Sequence, residues 1–378
     1  MELYLHIPFC RRKCRYCDFA SYAGREDRIP GYVSQVIVEA AQRAAELGPQ
    51  PVETVFIGGG TPSLLPPAEL ACLLNGVFRF FPPSPDAEFT SEANPGTLTP
   101  AWLETAVSLG LNRLSLGMQA AQPELLALLG RIHSAAQVAE SVRLARAAGI
   151  RNLSLDLMFG LPGQTPEQWR ETLETAFSLE PEHLSCYGLI PEEGTPLKAA
   201  LDDGSLVLPD EEAERAMYDE AIAMLAAAGY AQYEISNFAR PGFACRHNLG
   251  YWRRVPVLGL GASAASFLPG PDGERRETNP PDLDGYARLV CGESARVTET
   301  VSPADAMFET MMLSLRLNEG VSESDFLARH GVPLRDVYGA KLETLAAQGL
   351  LRRDGDAWKL TRRGMDIQNS VLVELMDG

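Results

Sequence analysis

The sequence predicts an α/β fold of six successive βα units, followed by a loop-rich β extension and a small helical module. Three observations predict it. Short β-rich runs alternate with longer segments of helical periodicity as far as residue 235. Several strands, such as Leu153-Ser154-Leu155-Asp156-Leu157-Met158, read as buried on both faces, as parallel strands under helices do. The run Leu109-Gly110-Leu111-Asn112-Arg113-Leu114-Ser115-Leu116 also returns one βα period later as Ala148-Gly149-Ile150-Arg151-Asn152-Leu153-Ser154-Leu155, each glycine suiting a helix end before a strand.

The predicted strands are Glu2–Ile7, Val52–Gly58, Glu88–Asn94, Arg113–Gln119, Asn152–Met158 and His183–Ile190. Between and after them, helix spacing covers Tyr32–Leu47, Ala68–Phe78, Ala101–Leu109, Ala135–Ala148, Glu167–Leu179 and Glu211–Ala228. An open doubly wound sheet and a barrel both fit this rhythm, and local pattern does not choose between them. After Tyr233 comes a Pro- and Gly-rich stretch of loops and short strands, including Pro269-Gly270-Pro271-Asp272-Gly273 and Pro280-Pro281. From Pro303 helical segments lead to a small hairpin through Trp358-Lys359-Leu360, the pattern of a winged-helix-like module. The expected division is 1–235, 236–297 and 298–378.

The chain has 378 residues, 46% of them apolar, and no apolar run long enough to span a bilayer. Its first residues lack the basic start and apolar stretch of a secretory signal, so the expected compartment is the cytoplasm. Fifty Asp+Glu against 33 Lys+Arg give a net charge of -17, which argues against a nucleic-acid partner. Residues 298–378 carry 9 Lys+Arg against 13 Asp+Glu, so that module reads as a cap or interaction unit rather than a DNA binder.

Three of the seven cysteines crowd into Cys10-Arg11-Arg12-Lys13-Cys14-Arg15-Tyr16-Cys17. Thiolates spaced CxxxCxxC on one loop can each reach a different iron of a [4Fe-4S] cubane and leave the fourth iron open to a small molecule. A structural zinc site needs four closed ligands and usually a second cysteine pair, which is missing, although His6 is near in sequence; a redox thiol set is the other alternative. Arg11, Arg12, Lys13 and Arg15 are expected to lower the thiol pKa values.

This loop after a first strand resembles that of the radical SAM superfamily, whose open iron takes the amino and carboxylate groups of S-adenosylmethionine. Val55-Phe56-Ile57-Gly58-Gly59-Gly60-Thr61-Pro62-Ser63 then looks like the segment that receives the methionine end, its glycines admitting a ligand to the backbone. The motifs together favour a partial (β/α)6 barrel of the radical SAM type, with Glu92, Gln119 and Asp156 at the strand ends where α/β barrels place active sites. Arg131 is suited to pair with the methionine carboxylate.

As a set, Tyr4-Leu5-His6-Ile7-Pro8-Phe9-Cys10, the Gly-Gly-Gly-Thr-Pro-Ser run, Glu92-Ala93-Asn94-Pro95 and Gly160-Leu161-Pro162-Gly163-Gln164-Thr165 resemble the oxygen-independent coproporphyrinogen III oxidase family over nearly the whole chain. The resemblance implies that Cys10, Cys14 and Cys17 hold the cluster. It also implies that Tyr4, Gly59, Gly60, Thr61, Glu92, Gln119, Arg131 and Asp156 bind S-adenosylmethionine. True oxidases carry a further cysteine two residues after the third, where this chain has Phe19. With Cys17-Asp18-Phe19 and His247-Asn248-Leu249-Gly250-Tyr251-Trp252, the sequence instead resembles the HemW-type heme chaperones. That implies heme as a further cofactor, held by His247, Asn248, Tyr251 and Trp252. It implies as partner a heme-accepting protein, such as a respiratory-chain component at the membrane.

The residues of this second motif allow two readings. An imidazole can ligate heme iron, flat aromatic rings can cover a porphyrin, Arg246, Arg253 and Arg254 can meet propionates, and Cys245 can add a ligand. Equally, His247 can hold Asn248 and Tyr251 in a hydrogen-bonded corner. Heme transfer is therefore set against two other functions, a radical enzyme of porphyrin biosynthesis and a cluster-based regulator.

Overall fold

The computed structural model describes residues 1–270 and 273–376; Pro271 and Asp272, in the stretch read as a loop, lie outside the described residues. Six strands, β1 (Glu2–Ile7), β2 (Val52–Gly59), β3 (Pro83–Ala93), β4 (Arg113–Gln119), β5 (Asn152–Phe159) and β6 (His183–Gly188), lie side by side in chain order, all parallel. A doubly wound sheet reverses its strand order at a switch point, and this order does not reverse. Right-handed crossovers then put the connecting helices on one face, and the sheet curls about the other as a partial barrel. The main helices of that layer are α1 (Ile29–Leu47), α2 (Pro67–Phe78), α3 (Pro100–Ser108), α4 (Ala135–Ala147), α5 (Pro166–Ser178) and α6 (Glu211–Ala227).

Local chemistry explains where these elements begin and end. Ser134 with Gln137 and Thr165 with Gln168 form capping boxes that start α4 and α5 by satisfying free helix N–H groups. Gly110 and Gly149, at φ +104° and +95°, supply the left-handed residue between α3 and β4 and between α4 and β5, which is the physical content of the sequence repeat. On α1 the buried residues Tyr32, Val33, Val36 and Ala40 join Leu3, Leu5 and Ile57 in one core. Each fully buried aliphatic side chain there contributes about 1.5–3 kcal/mol.

The extension belongs to the same sheet, which the sequence pattern did not reveal. Beyond β6 lie β7 (Ala231–Gln232) and β8 (Asn237–Ala239), with β8 antiparallel to β6. On the opposite side β9 (Val257–Leu260) pairs in parallel with β1, and β10 (Ala265–Gly270), β11 (Gly273–Thr278) and β12 (Val297–Val301) follow antiparallel. The order is β12-β11-β10-β9-β1-β2-β3-β4-β5-β6-β8-β7. Two helices, α7 (Arg246–Trp252) and α8 (Leu283–Val290), interrupt these strands.

A buried carboxylate fastens the extension to the barrel. Glu39 of α1 accepts hydrogen bonds from Gly261 N at 2.9 Å, Asn279 Nδ2 at 2.8 Å, Tyr286 Oη at 2.6 Å and Arg296 Nη2 at 2.8 Å.

The C-terminal part has helices α9 (Pro303–Ser314), α10 (Glu323–His330), α11 (Leu334–Ala347) and α12 (Gln368–Met376) around an antiparallel sheet of β13 (Val321–Ser322), β14 (Leu351–Asp354) and β15 (Ala357–Leu360), in order β13-β15-β14. Its own core includes Phe326, Leu342, Leu345 and Trp358. Ion pairs with a buried member tie it to the rest: Arg316 with Glu234 at 2.7 Å, and Glu309 with Arg254 at 2.8 Å. Among the described residues no helix is long and apolar enough to cross a membrane.

Candidate functional site

The cysteine loop is built on the backbone of β1 and the glycine run after β2. Gly60 N donates to Ile7 O and Thr61 N to Phe9 O, both at 2.8 Å. A Cβ at Gly60 would stand 2.7 Å from Phe9 O and 2.8 Å from Ile7 O, so only glycine lets the strands meet this closely. The far side of the loop is held by Arg15 N to Leu129 O and Leu197 N to Arg15 O, each at 2.9 Å.

Cys10, Cys14 and Cys17 line one cavity of about 400 Å³ together with Gly59, Gly60, Glu92, Gln119, Arg131 and Asp156. These residues, separate in sequence, thus line one cavity. Two others stand beside the cavity rather than on its wall. Thr61 is buried with Oγ1 3.5 Å from Cys10 Sγ, and Tyr4 has its hydroxyl 3.0 Å from His6 Nδ1 and faces a neighbouring cavity. His6 Nε2 lies 2.8 Å from Ala20 O, which makes it a wall histidine.

The donor set suits a cluster. Three thiols of one loop line a single cavity, and a cubane spreads its thiolates over three irons. Arg131 aims a charged group at the same place: Nη1 lies 3.4 Å from Cys14 Sγ, Nη2 donates to Gly117 O at 2.6 Å, and Nε is buried without a hydrogen-bond partner. Gly117 makes room for it, since a Cβ there would fall 2.3 Å from Nη2. The expected lowering of the thiol pKa values is not what the site does: burial outweighs Lys13 and Arg131 and pushes Cys10 and Cys17 up.

Four carboxyl side chains line the cavity, Asp18, Glu92, Asp156 and Glu192, and burial acts on two of them. Burial, then Asp156, pushes Glu92 up to about 7, opposed by the hydrogen bond from Gly59 N at 3.1 Å. Asp156 is also raised by burial, while Ser185 and Ser115 pull it back, Ser115 Oγ donating at 3.0 and 3.2 Å. Sequence reasoning missed both serines; their inward period on β4 and β6 was the available signal. Gln119 closes β4 at φ +65° beside a register shift, a left-handed conformation that turns its side chain to the cavity.

The second motif lies at the other end of the strands. His247 is 1% exposed, with Nδ1 2.7 Å from Thr54 Oγ1, Nε2 3.0 Å from Tyr251 Oη, and its ring stacked on Phe56 at 5.0 Å. Burial, then Arg113, lowers its pKa to about 3, so the ring is neutral. Both ring nitrogens are thus engaged, and the geometry is that of the hydrogen-bonded corner with Tyr251. Glu88 fixes the helix start by accepting from Arg246 N and His247 N, both at 3.0 Å. Asn248 follows on the same turn, and Trp252 is covered by Arg316 at 4.4 Å.

The other candidates of this segment are occupied elsewhere. Cys245 is fully buried with Sγ 3.4 Å from Glu88, which removes it from reach of a ligand. Arg254 is spent on Glu274 and Glu309, Arg253 on Glu319, and Arg246 donates to Asp86 O.

The family model described as the radical SAM superfamily matches residues 4–176, and the HemN C-terminal domain matches 301–367. The chain is 38% identical to the protein named heme chaperone HemW of Bacillus subtilis (strain 168), over 97% of each chain. It is also 38% identical to that of Escherichia coli (strain K12), over 98% of this chain and 97% of the relative. To the mouse protein named radical S-adenosyl methionine domain-containing protein 1, mitochondrial, it is 36% identical over 99% of this chain and 87% of the other. Among solved structures, coproporphyrinogen III oxidase (HemN) from Escherichia coli superposes with a TM-score of 0.85 at 24% identity, covering 100% of this chain and 90% of that one. That likeness concerns the fold.

Proposed function

This chain belongs to the heme chaperone HemW family of the radical SAM superfamily, and from that premise we propose that it binds heme and passes it to an acceptor protein, with a [4Fe-4S] cluster and exchangeable S-adenosylmethionine in its barrel. The observation that carries the cofactor part is the convergence of Cys10, Cys14 and Cys17 with Glu92, Gln119, Arg131 and Asp156 on one cavity. The heme part rests on the family and on Phe19, which stands where the oxidases have a thiol. The proposal includes the division 1–235, 236–297 and 298–378, supported by the separate C-terminal core.

When bound, such a cluster offers an open iron to the amino and carboxylate groups of S-adenosylmethionine. The chain's own residues do the rest. Gly59 and Gly60 let the ligand approach the backbone, Arg131 faces its carboxylate, and Glu92 and Asp156 accept from ribose hydroxyls or an ammonium. Heme is assigned to the segment carrying His247, Asn248, Tyr251 and Trp252, with Tyr251 as its exposed aromatic and His247 holding the Tyr251 hydroxyl from behind.

Anaerobic reconstitution tests the whole reading. The protein is expected to take up iron and sulfide, show a Soret band on hemin addition, and form no protoporphyrinogen from coproporphyrinogen III. Cys14→Ser should lose the cluster absorbance. Protoporphyrinogen formation would establish the alternative, an oxygen-independent coproporphyrinogen oxidase.

A pH dependence follows from Glu92. Its pKa is raised from 4.5 to about 7, so between these values the free site holds a proton that a cationic group must displace. Through Glu92, affinity for S-adenosylmethionine is expected to fall as pH drops below 7, by up to about tenfold per unit. Equilibrium dialysis from pH 5.5 to 8.5 checks this, and Glu92→Gln should flatten the profile.

A further inference from the structure

A second cavity, of about 530 Å³, lies between the cysteine loop, α7 and the strands β9 to β11. It shares two lining residues with the 400 Å³ cavity, Asp18 and Phe19. Phe19 is 60% exposed, so its ring presents apolar surface at the boundary of both.

Resting on the heme-binding reading above, we infer that this second cavity is the seat of the tetrapyrrole, a flat apolar macrocycle with two carboxylates, and that Phe19 is the wall between it and the S-adenosylmethionine cavity. Tyr4, Tyr251 and Phe267 join Phe19 in giving the cavity aromatic surface, and its volume lies within the range of about 300–1,000 Å³ usual for ligand pockets. Arg276 is the one Lys or Arg in its lining; its guanidinium is half exposed and can meet a carboxylate at the rim, although it also pairs with Glu309.

The placement explains two features of the sequence together. His247 lines neither cavity, so the motif reaches the ligand through Tyr251, 37% exposed and held at its hydroxyl by the buried imidazole. Position 19, where the chain departs from the oxidase pattern, falls on the shared wall. An aromatic ring there covers a porphyrin face and separates it from the cluster side.

Two substitutions at exposed positions separate the cavities without touching the core. Ala265 lines the second cavity and Ile190 the first. In the full-length, anaerobically reconstituted protein, Ala265→Trp is expected to weaken hemin binding at least tenfold, by Soret titration, and to leave binding of labelled S-adenosylmethionine unchanged. Ile190→Trp should do the reverse. The inference is overturned if Ala265→Trp binds hemin within twofold of the wild type while its thermal unfolding is unchanged, or if excess S-adenosylmethionine competes hemin out of the wild-type protein. No hemin binding by the wild type at all would instead sink the heme-binding reading on which the inference rests.

Discussion

Gly60→Ala is expected to cost the protein most of its cluster. The added methyl meets Phe9 O at 2.7 Å, Ile7 O at 2.8 Å and Phe9 N at 2.9 Å, all backbone atoms just ahead of Cys10. None of them is the free end of a side chain that can swing away, so relief means moving the strand end that carries the first thiol. Overpacking of this kind costs about 1–3 kcal/mol. The larger effect falls on the metal: displacement of Cys10 also breaks the Thr61 contact to its sulfur. Iron and sulfide per chain after reconstitution should fall severalfold, with a lowered unfolding temperature. Iron content equal to wild type would show that the loop sets its own geometry.

Glu39→Ala has the largest expected effect on stability. The carboxylate is fully buried, and all four of its donors come from residues 261–296. Removing it leaves the Gly261 N–H and the Tyr286 hydroxyl without their acceptor and Arg296 with Asn279 Oδ1 alone, and breaking a buried pair on one side costs about 3–5 kcal/mol. Glu39→Gln should recover little, because the amide presents a donor to donors. Denaturant unfolding of the apoprotein measures the loss. Hydrogen exchange should show residues 261–296 opening first. A loss under about 1 kcal/mol would mean that water replaces the lost acceptor.

These two residues also mark what was legible in the sequence. The glycine run announced itself by composition, and the strands β1 to β6 by their apolar pattern, because those signals are local. Glu39 sits in an amphipathic helix and reads as an exposed acid; its partners lie more than 220 residues further along the chain. β9 was hidden for a related reason. Four residues inside a Pro- and Gly-rich stretch carry little periodicity, and their status as a parallel strand comes from pairing with β1. The basic residues around the cysteines were seen, and Lys13 does pull Cys17 down, but burial of the sulfur atoms outweighs it. The convergence of Glu92, Gln119 and Asp156 was legible from their strand-end positions. The confinement of His247 was not, because Thr54 and Phe56 reach it from a distant strand.

The pairing of β1 with both β2 and β9 has a consequence for synthesis. On a ribosome, β2 emerges early and can cover one edge of β1, but β9 follows roughly 200 residues later. At about 5–20 residues per second, the other edge stays bare for on the order of 10–40 s. An uncovered run of N–H and C=O groups is a template for foreign strands. Faster translation or a protecting holdase shortens that exposure, so the soluble yield of this chain is expected to be set by how long β1 waits.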